Sequence, residues 1–212
     1  MNFRTIGLIG YGEVGKIFCA GLQGKDGVTA TSAWDRKFVG DTAAAELAYA
    51  KEAGVTAYMS SQALCEASDL VIAAVTASQS LAVAEEAARF IRPGSVYLDL
   101  NSASPGTKQR SAELIEAAGA RYVEAGVMTS VPPYGIRVPL LLGGEHAGEL
   151  AILLSAWGMD AKAVSEKLGV ASAIKMCRSV MIKGMEALVI ESYATARAYG
   201  VEDYVIPTLE ET

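Results

Sequence analysis

The chain has 212 residues, 51% of them hydrophobic, and a formal net charge of −6 at pH 7. This length accommodates one large domain or one and a half, with enough apolar residues for a sizeable core. The acidic balance, with no basic run or stripe, argues against a nucleic-acid or anionic-membrane binder. No apolar run reaches the roughly 18–20 residues of a membrane span.

The first element is a short apolar strand, 5–9, that runs straight into Gly10-Tyr11-Gly12-Glu13-Val14-Gly15 and then into an apolar helical pattern (Ile17, Phe18, Ala20, Gly21). It starts so early that no room is left for a signal peptide. A G-x-G-x-x-G between strand and helix has the form of a dinucleotide-binding loop. Gly10 allows the tight turn, Gly12 lets the backbone approach a pyrophosphate, and Gly15 lets the helix pack close to the strand. The helix N-terminus then offers free N–H groups to the phosphates. Glu13 reads as a cap residue facing solvent, favoured there by the helix dipole. A second strand, 28–34, leads to Asp35, twenty residues past Gly15, where a carboxylate reaches the adenosine ribose hydroxyls.

Further along, 41–53 reads as an alanine-rich helix ending at Gly54, and 55–59 as strand three. The run 70–75 is continuously apolar, as for a parallel strand covered on both faces. A helix over 77–91 is stopped by Pro93-Gly94, and a strand at 95–100 precedes a helix over 105–118. Strands at 121–127 and 138–142 follow, then a helix over 145–157 and a short segment, 160–164. This alternation predicts an α/β fold: a doubly wound, mainly parallel Rossmann sheet over residues 1–164, with right-handed crossovers. Ligands of such sheets sit at the C-terminal strand ends, so loops 10–15, 35–37, 75–78, 101–105 and 127–133 should line one crevice. Val75, Thr76 and Asn101 are thereby candidate cofactor contacts.

From Gly169 a long helix runs to about Tyr199, and residues 165–212 read as the start of an all-α domain. Its middle (Val180, Met181, Ile182, Met185, Leu188, Val189, Ile190) is apolar nearly all round, so it is expected to be buried on most sides. The residues after it are few and mostly polar. Cover is therefore expected from a second subunit or from further helices.

Lys175, Ser179 and Lys183 fall at i, i+4 and i+8 of this helix and share a face. Two readings fit them. Lys175 can project into the crevice, bind a substrate hydroxyl and exchange its proton, with its pKa lowered by desolvation. Alternatively, the lysines snorkel to solvent or pair with Glu186 or Glu191. The sole histidine, His146, stands at a helix start and reads as a surface residue. None of the nine tyrosines is followed by lysine four positions on. Chemistry based on a His–Asp pair or on Tyr-x-x-x-Lys is thus disfavoured, leaving a lysine mechanism. Cys19, Cys65 and Cys177 form no metal-ligand spacing and fit a reducing cytoplasm. Cys19 and Cys177 lie in apolar helical patterns and are expected to be packing residues.

The chain resembles the β-hydroxyacid dehydrogenase superfamily, which includes 3-hydroxyisobutyrate and 6-phosphogluconate dehydrogenases, in a divergent branch. Residues 6–15 are similar to its opening motif. Asp99-Leu100-Asn101-Ser102-Ala103-Ser104-Pro105 is similar to its Asp-x-Ser-Thr-x-x-Pro strand end. Glu124-Ala125-Gly126-Val127-Met128-Thr129-Ser130 sits where the family has its substrate loop, and Gly169–Lys175 matches the segment carrying its catalytic lysine. The resemblance implies Lys175 as acid/base and a helical domain that builds a dimer. Met128 stands in place of the family's loop serine, with Thr129 and Ser130 just after it. Ser179 replaces an asparagine. Ile182 replaces the glutamate of phosphogluconate enzymes, which argues against decarboxylation of 6-phosphogluconate.

These readings combine into a cytoplasmic, homodimeric, NAD- or NADP-dependent oxidoreductase. Hydride would pass between nicotinamide and a small hydroxy acid, with no metal. Lys175 handles the hydroxyl proton with Ser179 and Ser130. Asn101, Ser102, Thr129 and Ser130 position the substrate, and Lys183 meets a carboxylate. Asp35 favours NAD, whereas Arg36 and Lys37 could hold the 2′-phosphate of NADP. Two alternatives remain open: an imine or carbonyl reductase on the same scaffold, and a non-catalytic dinucleotide-binding module.

Overall fold

A computed structural model describes residues 1–40 and 43–210. The strands are β1 (Thr5–Ile9), β2 (Ala30–Trp34), β3 (Thr56–Ala57), β4 (Leu70–Ala73), β5 (Val96–Asp99), β6 (Arg121–Val127), β7 (Leu140–Gly143) and β8 (Ala161–Ser165). The helices are α1 (Glu13–Leu22), α2 (Ala43–Glu52), α3 (Ser61–Ala67), α4 (Ser80–Ala88), α5 (Pro105–Ala117), α6 (Ala147–Ala156), α7 (Val170–Tyr199) and α8 (Glu202–Glu210). The chain divides into two compact units, Met1–Lys175 and Met176–Thr212. The division falls later along the chain than residue 164, because the first turn of α7 packs with the sheet.

The first unit is an eight-stranded sheet in the order β3-β2-β1-β4-β5-β6-β7-β8. All neighbours are parallel except β6 and β7, which pair antiparallel from Glu124↔Gly143 to Val127↔Leu140. The order reverses between β1 and β4, so the loops after these two strands diverge and leave a crevice at their carboxyl ends. Alternate residues of each strand feed opposite faces. Leu70, Ile72, Val96 and Leu98 belong to one hydrophobic cluster, and Val71, Ala73 and Tyr97 to the other. Every residue of β4 and β5 is buried, which is why the β4 run reads as continuous rather than alternating.

Several elements differ from the sequence expectation. The second strand starts at Ala30, and the third shrinks to a two-residue edge strand. The helix expected over 77–91 opens as a 3₁₀ turn, Ala77–Gln79, before α4. The segment near 160–164 is a full strand, parallel to β7. The expected start of α2 at Asp41 and Thr42 lies outside the described residues. Helix α3 was not anticipated, although its cap was visible: the Ser60 hydroxyl accepts from the Ala63 N–H at 3.1 Å. Helix α5 shows the signals that predicted it, with Pro105 in its first turn and Ser104 accepting from the Thr107 N–H.

In the second unit, α7 ends at Gly200 (φ +66°), where the Val201 N–H donates to the Ala196 carbonyl. Helix α8, which encloses Pro207, was also unanticipated. The apolar middle of α7 is exposed: Val180, Met181, Leu188 and Ile190 are each more than 65% accessible. Among the described residues it is therefore uncovered. Cys177 is likewise exposed rather than packed, whereas Cys19 and Cys65 are buried. Among the described residues no helix is long and apolar enough to cross a membrane.

Candidate active site

All five loops expected at the crevice contribute to it. One part, of about 610 Å³, is lined by Gly10, Gly12, Glu13, Val14, Asp35, Arg36, Val75 and Thr76, with Trp34 and Glu86 among its walls. The adjoining part, of about 530 Å³, shares Glu13, Val14 and Ala74–Thr76. It continues to Asn101, Ser102, Thr129, Ser130 and Lys175. A long cleft thus joins the glycine loop to the lysine.

The three loop glycines are glycine for different reasons. Gly10 has φ +100°, and a Cβ there would collide with the Ala74 carbonyl. A Cβ on Gly15 would collide with the Gly10 carbonyl. Gly12 has an ordinary φ of −78°, and nothing lies within 4 Å of where its Cβ would be. The fold therefore demands Gly10 and Gly15 but leaves Gly12 facing free space. Gly12 is also the N-cap of α1, and no side chain caps that end. The first N–H groups of a helix have no partner within it, so they remain available to an anion in the cleft. This geometry fits a dinucleotide pyrophosphate.

Tyr11 departs from the expectation of direct contact, and Asp35 does more than line the cleft. The Tyr11 ring is buried against Phe38 and Tyr49, and its N–H donates to Asp35 Oδ2 at 2.7 Å. The other carboxylate oxygen of Asp35 accepts from the Lys37 N–H at 2.9 Å. Asp35 thus ties the glycine loop to the turn after β2 while still lining the cleft, and Tyr11 does not line it. Glu13 is exposed, as expected of a first-turn carboxylate, but it lines both parts of the cleft.

At the other end, the Lys175 ammonium donates to Ser102 Oγ at 2.6 Å. Burial pushes the Lys175 pKa below its usual value, and the positive charge of Lys108 pushes in the same direction. Asn101 is buried. Its Oδ1 accepts from the Val75 N–H at 2.7 Å, and its Nδ2 donates to Ser80 Oγ. It therefore bridges the loops after β4 and β5. Thr129 and Ser130 are exposed on the cleft rim, and the Met128 N–H is bound to the Pro139 carbonyl. Ser179 and Lys183 lie beyond Lys175 on α7, in the second unit, where Lys183 is exposed.

Sequence reasoning missed the buried polar groups behind Lys175. Lys108, on α5, is fully buried. It donates to the Asp99 carbonyl at 2.8 Å and pairs with Asp99 Oδ1 at 3.0 Å. Asp99 also accepts from the Tyr122 hydroxyl and the Asn101 N–H. Glu124 is equally buried. Its Oε1 accepts from the Gly169 and Ala171 N–H groups at the start of α7. A signal for Lys108 was present: Lys108, Ala112 and Ile115 fall at i, i+4 and i+7, which puts the lysine on the apolar face of α5. Among the described residues no cluster of His, Cys, Asp and Glu is arranged to hold a metal ion.

The family described as the NAD binding domain of 6-phosphogluconate dehydrogenase matches residues 5–173. The chain belongs to this family. A conserved hypothetical protein from Sinorhizobium meliloti 1021 is 38% identical, with 98% of this chain and 69% of that one covered and a TM-score of 0.83. The conserved protein MTH1747, described as structurally similar to 3-hydroxyacid dehydrogenases, is 30% identical over 98% of this chain and 76% of its own, with a TM-score of 0.78. An imine reductase from Myxococcus stipitatus in complex with NADP+ shares the fold at 20% identity and a TM-score of 0.77, over 98% of this chain and 71% of its own. As a member of the 6-phosphogluconate dehydrogenase NAD-binding family, the protein has the glycine loop, the crevice and the mainly parallel sheet in their expected relation.

Proposed function

We propose that the protein is an NAD(P)-dependent oxidoreductase acting on a small hydroxy acid, with Lys175 as the acid/base. The observation that carries this reading is the Lys175–Ser102 pair, 2.6 Å apart, in a cleft continuous with the glycine loop. When bound, the nicotinamide supplies the acceptor or donor of hydride. Lys175, poised towards its neutral form by burial, takes the hydroxyl proton as the carbon–hydrogen bond breaks, and returns it in the reverse direction. Ser102, Thr129 and Ser130 orient the substrate, and the first turn of α1 holds the pyrophosphate.

Asp35 favours NAD, because its carboxylate lines the adenosine end of the cleft. The exposed Arg36 and Lys37 are the feature that would admit NADP instead. Homodimerisation through the exposed apolar face of α7 belongs to this reading and is checked by sedimentation. A second reading, reduction of an imine, is favoured by Met128 and Ser179, which replace the hydroxyacid pattern, and by the shared fold of the imine reductase. Assays of alcohol oxidation and amine formation in parallel separate the two. The central test is Lys175→Met. Turnover should vanish while NADH or NADPH affinity stays within about twofold, since no tenfold-scale contact (about 1.4 kcal/mol) is removed from the nucleotide end. Loss of dinucleotide binding in this variant would refute the assignment.

A further inference from the structure

The cleft accounts for Lys175 but leaves unexplained a second lysine placed behind it. A fully buried ammonium is costly unless it is paired and hydrogen-bonded, and Lys108 has both forms of compensation from Asp99. Asp99 and Glu124 are direct register partners on the neighbouring parallel strands β5 and β6. Each carboxylate fixes one half of the Lys175–Ser102 pair. Asp99 Oδ1 accepts from the Asn101 N–H, which sets the turn that presents Ser102. Glu124 Oε1 accepts from the Gly169 and Ala171 N–H groups, which sets the helical turn that presents Lys175. Gly126 lets that turn come close: a Cβ there would lie 3.1 Å from the Ala171 carbonyl and 3.6 Å from Lys175 Cβ.

We propose that Lys108 is a positioning residue for the Lys175–Ser102 pair, acting by clamping the Asp99 turn and by placing a fixed positive charge behind Lys175. The inference rests on the assignment of Lys175 as acid/base, and it goes beyond the cleft to a residue that touches neither substrate nor cofactor. The groups around Lys108 are Asp99 from β5, Tyr122 and Glu124 from β6, and Lys175 from α7; Glu13 of α1 is the carboxylate lining the open side of the cleft. Burial lowers the Lys108 pKa, while Asp99 and Glu124 act to keep its proton in place. The same positive charge then disfavours the charged form of Lys175.

The test is site-resolved acylation of Lys175 by acetic anhydride across pH, read by mass spectrometry, with exposed Lys162 as the reference in the same digest. Two variants are compared with the wild type. Lys108→Met removes the charge at nearly constant length. Lys108→Met with Asp99→Asn removes both members of the ion pair, so that no buried carboxylate is left unpaired. In Lys108→Met, shown to be folded by circular dichroism, the Lys175 midpoint should rise by on the order of one pH unit; in the double variant, which removes a positive and a negative charge together, it should rise by less. An unchanged midpoint in folded Lys108→Met, or a lowered one in the double variant, overturns the proposal, and so does a wild-type Lys175 midpoint equal to that of Lys162. A role in folding alone would lower the melting temperature without moving the midpoint. NADH and NADPH titrations of the wild type run alongside. Failure to bind either would refute the proposed function while leaving the effect of Lys108 on Lys175 measurable.

Discussion

Substituting Gly12 by alanine separates what the glycine loop does for the fold from what it does for a ligand. Gly12 has φ −78° and ψ −161°, a conformation open to alanine, and no atom lies within 4 Å of the new methyl. Alanine stiffens the unfolded chain, which stabilises by about 0.4–1 kcal/mol. It is a poorer N-cap than glycine, which costs a similar fraction of about 1 kcal/mol. The two effects nearly cancel, so the urea midpoint should barely move. The methyl would nevertheless occupy the space beside the uncapped start of α1, where a pyrophosphate must approach the backbone. NADH or NADPH affinity should fall at least about tenfold, equivalent to about 1.4 kcal/mol. Gly10→Ala should behave in the opposite way. Its positive φ alone costs about 1–3 kcal/mol, the collision with the Ala74 carbonyl adds to that, and binding falls because the fold does. Unfolding curves and nucleotide fluorescence titrations on both variants provide the comparison. Wild-type affinity in a folded Gly12→Ala protein would refute the assignment of the loop to a dinucleotide.

Asp35→Ala should destabilise the first unit by about 1–3 kcal/mol, because it leaves the part-buried Tyr11 N–H without its acceptor and removes the side-chain cap of the turn at 36–38; a change confined to cofactor preference, with no loss in urea midpoint, would contradict the clamp. Native protein should show one fast thiol towards Ellman's reagent, Cys177, and three after unfolding, since burial pushes Cys19 and Cys65 up to about 12. Burial raises the pKa of Asp69, but this is outweighed by hydrogen bonds from the Arg4 and Thr5 N–H groups and from Arg92, so the folded value lies below the ordinary 3.8. A carboxyl whose folded value is depressed contributes stability above its unfolded value and loses it as pH falls through the folded one. Wild type should therefore lose more stability than Asp69→Asn between pH 5 and pH 3, as measured by urea unfolding; equal losses would show that Asp69 is not linked to acid unfolding.

What could be read along the chain was whatever depends on near neighbours in sequence. The strand–glycine–helix opening, the apolar run of β4, the Pro105 helix start and the Lys175 helix all rest on spacings of a few residues. Helices α3 and α8 escaped because they are short and carry weak periodicity, and strand three was read too long because only two of its residues pair with β2. Other features depended on pairing between distant segments. Asp35 became a clamp because the turn after β2 lies beside the loop after β1, presenting the Tyr11 N–H to its carboxylate. Tyr11 turned inward because Phe38 and Tyr49 surround it. Asp99 and Glu124 are 25 positions apart in sequence and become neighbours only through the β5–β6 register. Lys108 joins them because α5 packs its apolar stripe, with this one ammonium in it, against the strand ends. A charge on an apolar face is ambiguous in one dimension, since solvent exposure and a buried partner leave the same trace in the sequence. Only the tertiary structure supplies the partner, because the cost of burying an ion is offset by groups that the chain brings from elsewhere.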